Sequence, residues 1–258
     1  MEGVMMVDVL SGKTALVTGG GTGIGRATAR RLAEMGATVV LNGRREKPLR
    51  ETASAIEAAG GRALVIAGDV SRESEAGRIV AEAIAGGGGR LDILVNNAAV
   101  VRQKPFLETT ADDYRAVLDT NLIAVASLCR AAIPRMPEGG AIVNLATGAA
   151  IRAVPGYAAY GASKAALIYL TRVLALECAP RKIRVNVVSP GSVDTPLHAT
   201  FLSPKEVADL PRSVAEWTPL GRMAQPEEIA SAIAYLVSPE ASYITGINFS
   251  VDGGSTAA

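Results

Sequence analysis

The chain has 258 residues, 49% hydrophobic and 20% charged, enough to enclose a sizeable core as one domain spanning 1–258. Its 26 basic and 25 acidic residues leave a formal charge of +1, which makes no electrostatic case for a nucleic-acid partner. Met1 to Leu10 carry Glu2 and Asp8 without a basic n-region, unlike a signal peptide, and no apolar stretch approaches the length of a membrane span. Cys129 and Cys178 fall in helical patterns and read as buried thiols of a cytoplasmic protein rather than as a disulfide or metal pair.

In chain order the pattern predicts strand Thr14 to Thr18, helix Ile24 to Met35, strand Thr38 to Leu41, helix Pro48 to Ala59 and strand Ala63 to Ile66. Helix Glu73 to Ile84 follows, then a glycine break at Gly86 to Gly89 and strand Ile93 to Asn96. A long helical stretch from Ala111 to Met136 precedes strand Ala141 to Leu145, helix Ala158 to Ala179 and strand Val185 to Ser189. Helix Pro226 to Ser238 and strand Ile247 to Val251 end the series. Strands alternating with helices argue an α/β fold, a parallel sheet covered on both faces. The apolar runs Ile93-Leu94-Val95 and Ala141-Ile142-Val143 suit strands buried on both sides. Ser192 to Arg222 breaks the rhythm, with mixed polarity and prolines, and reads as a substrate lid inserted after a strand end.

Three stretches carry chemistry. Thr18-Gly19-Gly20-Gly21-Thr22-Gly23-Ile24-Gly25 joins the first strand to the first helix, where glycines let a dinucleotide pyrophosphate approach the backbone. The spacing is Gly-x-x-x-Gly-x-Gly, and alone it also suits a glycine-rich turn with no ligand. The second strand ends at Asn42-Gly43-Arg44-Arg45 without the acid that would accept from a ribose 2′-hydroxyl. Two guanidinium groups suit a 2′-phosphate and favour NADPH over NADH; the competing reading makes both arginines solvated loop residues. Tyr160 and Lys164 lie four residues apart, on one face of a helix, thirteen residues after Thr147. A nearby ammonium is expected to lower the phenol pKa, as suits a general acid for carbonyl reduction.

With these motifs placed, the chain resembles the short-chain dehydrogenase/reductase family over nearly its whole length. Further matches are Asp69-Val70, Asn96-Asn97-Ala98-Ala99, Asn121, Pro190-Gly191 with Thr195, and Val251-Asp252-Gly253-Gly254. The resemblance implies a single Rossmann-like, doubly wound domain with a seven-stranded parallel sheet. It implies that Gly19, Thr22, Gly23, Ile24 and Gly25 hold the pyrophosphate and that Asp69 and Val70 touch the adenine. Asn97 would lie along the cofactor, and Pro190, Gly191, Val193 and Thr195 would face its nicotinamide end. Thr147, Tyr160 and Lys164 would act on the carbonyl, Lys164 also binding the nicotinamide ribose, while Asn121 would interrupt its helix and hold a relay water. Two departures stand out. Ala99 replaces the usual glycine, and Thr147 the usual serine, whose hydroxyl it keeps while its β-branch crowds the pocket.

These expectations describe an NADP(H)-dependent, homotetrameric reductase of a free small-molecule ketone or secondary alcohol. A 3-oxoacyl-carrier-protein reductase is the alternative, with Arg181 where such enzymes offer a base to their acidic carrier, but Glu138 stands near where another base is expected. A protein that binds NADPH without turnover is the rival from another class. His198 is expected to pack or be solvated, Trp217 to anchor the lid, and no histidine or cysteine cluster suggests a metal.

Overall fold

The computed structural model describes residues 8–257. Most of the Met1 to Leu10 stretch judged for a leader therefore lies outside the described residues. Parallel strands β1 (Thr14–Thr18), β2 (Thr38–Gly43), β3 (Arg62–Ala67), β4 (Ile93–Asn96), β5 (Ala141–Leu145), β6 (Arg184–Pro190) and β7 (Asn248–Val251) form one sheet. Its order is β3-β2-β1-β4-β5-β6-β7, the seven-stranded arrangement expected. The chain winds outward from β1 to β3, then restarts on the other side of β1 with β4. The crevice at this reversal, beyond the carboxyl ends of β1 and β4, is where open α/β sheets bind ligands.

Helices α1 (Gly23–Glu34), α2 (Glu46–Ala58), α3 (Glu73–Gly86), α4 (Ala111–Leu118), α5 (Ala124–Ala132), α6 (Ala158–Cys178), α7 (Pro204–Trp217) and α8 (Pro226–Val237) complete the element order. Alternate strand residues divide the core. Val17, Val39, Val95 and Val143 pack with Leu32 of α1, Leu49 of α2 and Ile233 of α8. Leu16, Val40, Leu94 and Ile142 pack with Ile79 of α3, Leu128 of α5 and Leu167 of α6. Both sheet faces are thus apolar, which is why the strand sequences lack polar alternation.

The long helix splits at a π turn over Asp119–Ile123, around Asn121, where the resemblance has it interrupted. Against expectation, the run Ala111–Arg135 is long and apolar enough, by composition, to cross a membrane. Val117, Val125, Leu128 and Ala132 are buried within the fold, so its apolarity belongs to a core helix. Ala124 and Leu128 likewise point into the core. The insertion after β6, in turn, contains α7. Its prolines hide it: Pro204 occupies the first turn and Pro211 the interior, while Ser203 and Glu206 form a capping box that starts it.

Candidate active site

The glycine turn is locked to the loop after β4. The Thr18 hydroxyl accepts from Asn97 N at 3.0 Å and Ala98 N at 3.1 Å, and Asn97 Nδ2 donates to Thr18 O at 2.8 Å. Gly19 has φ +66°, and a Cβ there would stand 2.7 Å from Asn97 Nδ2; on Gly25 it would stand 2.2 Å from Gly19 O. Only glycine allows this closeness. Thr22 precedes α1 without capping it through its side chain, which leaves the first amides of the helix open to an anion. Arg26 folds back on the turn, donating from Nε and Nη2 to Gly21 O at 3.1 and 2.9 Å, and its Nη2 lies 3.8 Å from Glu51 Oε2. These features fit a dinucleotide pyrophosphate.

Farther along the same edge, Arg44 and Arg45 are exposed, and neither forms an ion pair among the described residues. Asp69 is committed to its own turn, accepting from Ser71 N at 3.1 Å and Ser71 Oγ at 2.8 Å, while Val70 is buried in the core. Beyond β6, Gly191 N donates to Val251 O at 3.1 Å, and a Cβ on Gly191 would meet Asp252 at 2.9 Å. Val193 bridges to Ala224, and Thr195 lies against Gly23, where an added Cβ would approach it to 3.0 Å.

Helix α6 is pinned to the sheet by buried polar groups. Asn96 Nδ2 donates to Asn144 Oδ1 at 2.8 Å, Asn144 Nδ2 to Thr171 Oγ1 at 2.8 Å, and Thr171 Oγ1 to Leu167 O at 2.9 Å. Gly161 lets the first turn of α6 approach the loop after β5, since a Cβ there would lie 2.8 Å from Ala149 O. Tyr160 and Thr147 thereby share one cavity. Asn121, fully buried in the π turn, accepts from Val100 N and donates to Val100 O, both at 2.9 Å, and donates to Ser163 Oγ at 3.1 Å. Ser163 Oγ donates in turn to Tyr160 O at 2.7 Å. Lys164 is 1% exposed, and its Nζ donates to Leu145 O at 2.6 Å.

Burial pushes the Tyr160 phenol up to about 12, against a smaller lowering by the Thr147 hydroxyl. Burial pushes Lys164 down to about 7. The expected lowering of Tyr160 by the ammonium is absent, because Lys164 is directed at a carbonyl and desolvation dominates both groups. Within the protein alone, the phenol is held in its proton-donating form.

A cavity of about 450 Å³ opens over Thr147 and Tyr160 and also touches Ile24, Pro190, Gly191, Val193 and Thr195. The structure does not bring Gly19, Thr22, Arg44, Arg45, Asp69, Asn97, Asn121 or Lys164 to its walls; they lie behind it or along the sheet edge. His198 lines it, bonded through Nε2 to Val193 O at 2.9 Å and edge-on to Phe201, and Trp217 lines it while 44% exposed. Sequence reasoning missed Ser163, the Asn96–Asn144–Thr171 chain, Arg26 and Arg152. Asparagines inside apolar strands were the available signal, since such side chains must find partners.

A family profile described as enoyl-(acyl carrier protein) reductase matches residues 19–256. With this fold and site, the chain belongs to the short-chain dehydrogenase/reductase family and is an oxidoreductase. It is similar to 3beta-hydroxysteroid dehydrogenase 1 of Eggerthella lenta, 42% identical over 97% of this chain and 96% of that one. Glucose 1-dehydrogenase of Gluconobacter oxydans is 38% identical over 96% and 94%. Among solved structures, a short-chain dehydrogenase/reductase from Serratia marcescens superposes with a TM-score of 0.88 at 36% identity, over 96% of this chain and 99% of that one. A blue fluorescent protein from a metagenomic library, in complex with NADPH, gives 0.88 at 35% identity over 95% and 98%.

Proposed function

We infer that the protein reduces a free small-molecule ketone with NADPH, or oxidises the matching secondary alcohol. The observation that carries this is one cavity holding a protonated phenol and a second hydroxyl at the sheet's ligand crevice. The nicotinamide, when bound, supplies or accepts the hydride. Thr147 and Tyr160 hydrogen-bond the carbonyl oxygen, and Tyr160 delivers its proton there as negative charge develops. Lys164 would hold the nicotinamide ribose with the N–H donors that Leu145 O leaves over, and Asn121 fixes the Val100 backbone and, through Ser163, the Tyr160 turn. Gly19, Thr22, Gly23, Ile24 and Gly25 would cradle the pyrophosphate, and Asp69 and Val70 would stand at the adenine end. Asn97, Pro190, Gly191, Val193 and Thr195 line the remaining path. A ketone panel assayed with each cofactor at the nicotinamide absorbance band tests the reading. No oxidation of NADPH by any ketone, even in a single turnover, would leave a binding protein without turnover.

The acyl-carrier alternative loses support. Arg181 caps a helix end, bonding to Ile133 O and, at 2.6 Å, to Met136 O, and Glu138 pairs with Lys182 at 3.1 Å. No base of that pair is left to offer an acidic carrier. Walls that are mainly hydrocarbon favour an apolar substrate, such as the steroid in one relative's name, over a sugar. Cytoplasmic location is supported by two free, buried thiols.

NADPH preference rests on Arg44 and Arg45, which follow a strand end that lacks an acid. An added Cβ at Gly43 meets nothing closer than Leu49 at 3.4 Å, so aspartate fits. Gly43→Asp is expected to move the kcat/KM ratio towards NADH by about tenfold or more, through repulsion of the 2′-phosphate. A native enzyme faster with NADH overturns the preference. We further expect a homotetramer. Ile123, Tyr169 and Leu176 expose apolar surface around α5 and α6, and Tyr235, Tyr243 and Phe249 do so near β7, two faces suited to twofold axes. Light scattering should give four chain masses at micromolar concentration, and a monomer there refutes the assembly.

A further inference from the structure

The active-site cavity is walled mainly by hydrocarbon, including Val154 from the loop after β5 and Phe201, Leu210 and Val214 from the insertion. Among the described residues, Arg152 is the sole Asp, Glu, Lys or Arg that lines it. Its Nη1 donates to Ser255 O at 2.9 Å, which ties the side chain to the C-terminal segment bordering the same cavity. Among the described residues no carboxylate pairs with it. A guanidinium carries five N–H donors in a planar fork, so most remain for another acceptor, and a carboxylate matches that fork.

We propose that Arg152 is a specificity residue selecting substrates whose carbonyl or secondary alcohol sits on an apolar frame that ends in an anion, most simply a carboxylate. The assignment rests on the carbonyl-reduction reading above. The oxygen to be protonated lies at Thr147 and Tyr160, and the anionic end lies at Arg152. Hydrocarbon between them fits the apolar walls.

The test pairs para-acetylbenzoate and its two-ring analogue, acetylbiphenyl carboxylate, each with its methyl ester. Turnover is followed with NADPH, and binding by calorimetry with NADP⁺, which cannot reduce a ketone. For whichever frame spans the cavity, the acid should exceed its ester in kcat/KM and affinity by about fivefold, the size of one partly exposed ion pair. That preference should shrink at high ionic strength. The readout is the acid-to-ester ratio, because Arg152 also holds Ser255. Arg152→Gln should bring the ratio to one, and Arg152→Lys should retain part of it. A native ratio of one overturns the assignment, as does a preference that survives in Arg152→Gln, or a variant whose main change is in the KM for NADPH. Acids that bind better than their esters yet are never reduced support Arg152 and overturn the functional reading instead.

Discussion

Tyr160→Phe is expected to lower kcat for ketone reduction by about 10²–10⁴-fold, the range over which a positioned general acid contributes. The phenol is buried, and its pKa, pushed up to about 12, keeps the proton in place at any ordinary working pH. Phenylalanine keeps the ring and removes the transferable proton. Thr147→Ala should cost about 10²–10³-fold in kcat, as for one oxyanion donor, whereas Thr147→Ser keeps the hydroxyl and sheds the crowding methyl. Cofactor affinity should hardly change in the three variants, since neither hydroxyl anchors the dinucleotide. Steady-state rates and cofactor titrations decide the matter. A Tyr160→Phe enzyme within tenfold of the parent would falsify the assignment.

Lys164→Met is expected to inactivate the enzyme and stabilise it. An ammonium buried with no carboxylate partner among the described residues costs free energy, and the drop from 10.5 to about 7 corresponds to about 5 kcal/mol. Below about 7 the ammonium is charged in both folded and unfolded chains, and the full burial cost applies. Between about 7 and 10.5 the folded lysine is neutral while the unfolded one still binds a proton, so the cost shrinks as pH rises. Above 10.5 both are neutral and it vanishes. Methionine leaves the Leu145 carbonyl without its donor, a loss of about 1–3 kcal/mol, so the net gain at pH 6 is about 2–4 kcal/mol. That corresponds to a rise in Tm of about 5–15 °C. Melting curves from pH 6 to 10 should show the variant's advantage fading. A variant less stable than the parent at pH 6 contradicts the buried-charge account. Activity should fall with it, the usual trade between stability and a strained site.

The sheet was legible because doubly covered strands announce themselves as unbroken apolar runs, and the crevice follows from their order. The spacing of Thr147, Tyr160 and Lys164 was legible because four residues on a helix share a face whatever packs around them. Helix α7 was not, since Pro211 inside it reads as a breaker although Ser203 and Glu206 supplied the start signal. Tyr160's protonation was misread, because a pKa depends on desolvation and on where Lys164 aims, and spacing shows neither. Arg152 and Arg181 look alike in sequence. Only long-range contacts show that one caps a helix end while the other borders the cavity with donors to spare.

The lock between Asn121 and Val100 uses only the main-chain N–H and C=O of residue 100. It is therefore indifferent to the side chain carried there, whereas Asn121 itself has no substitute of the same length offering both an acceptor and a donor. The next residue, Val101, lines the cavity. Mutational drift can thus remodel the wall that meets the substrate while leaving the proton-donating helix in register. Laboratory evolution of new selectivity would do best to begin at Val101.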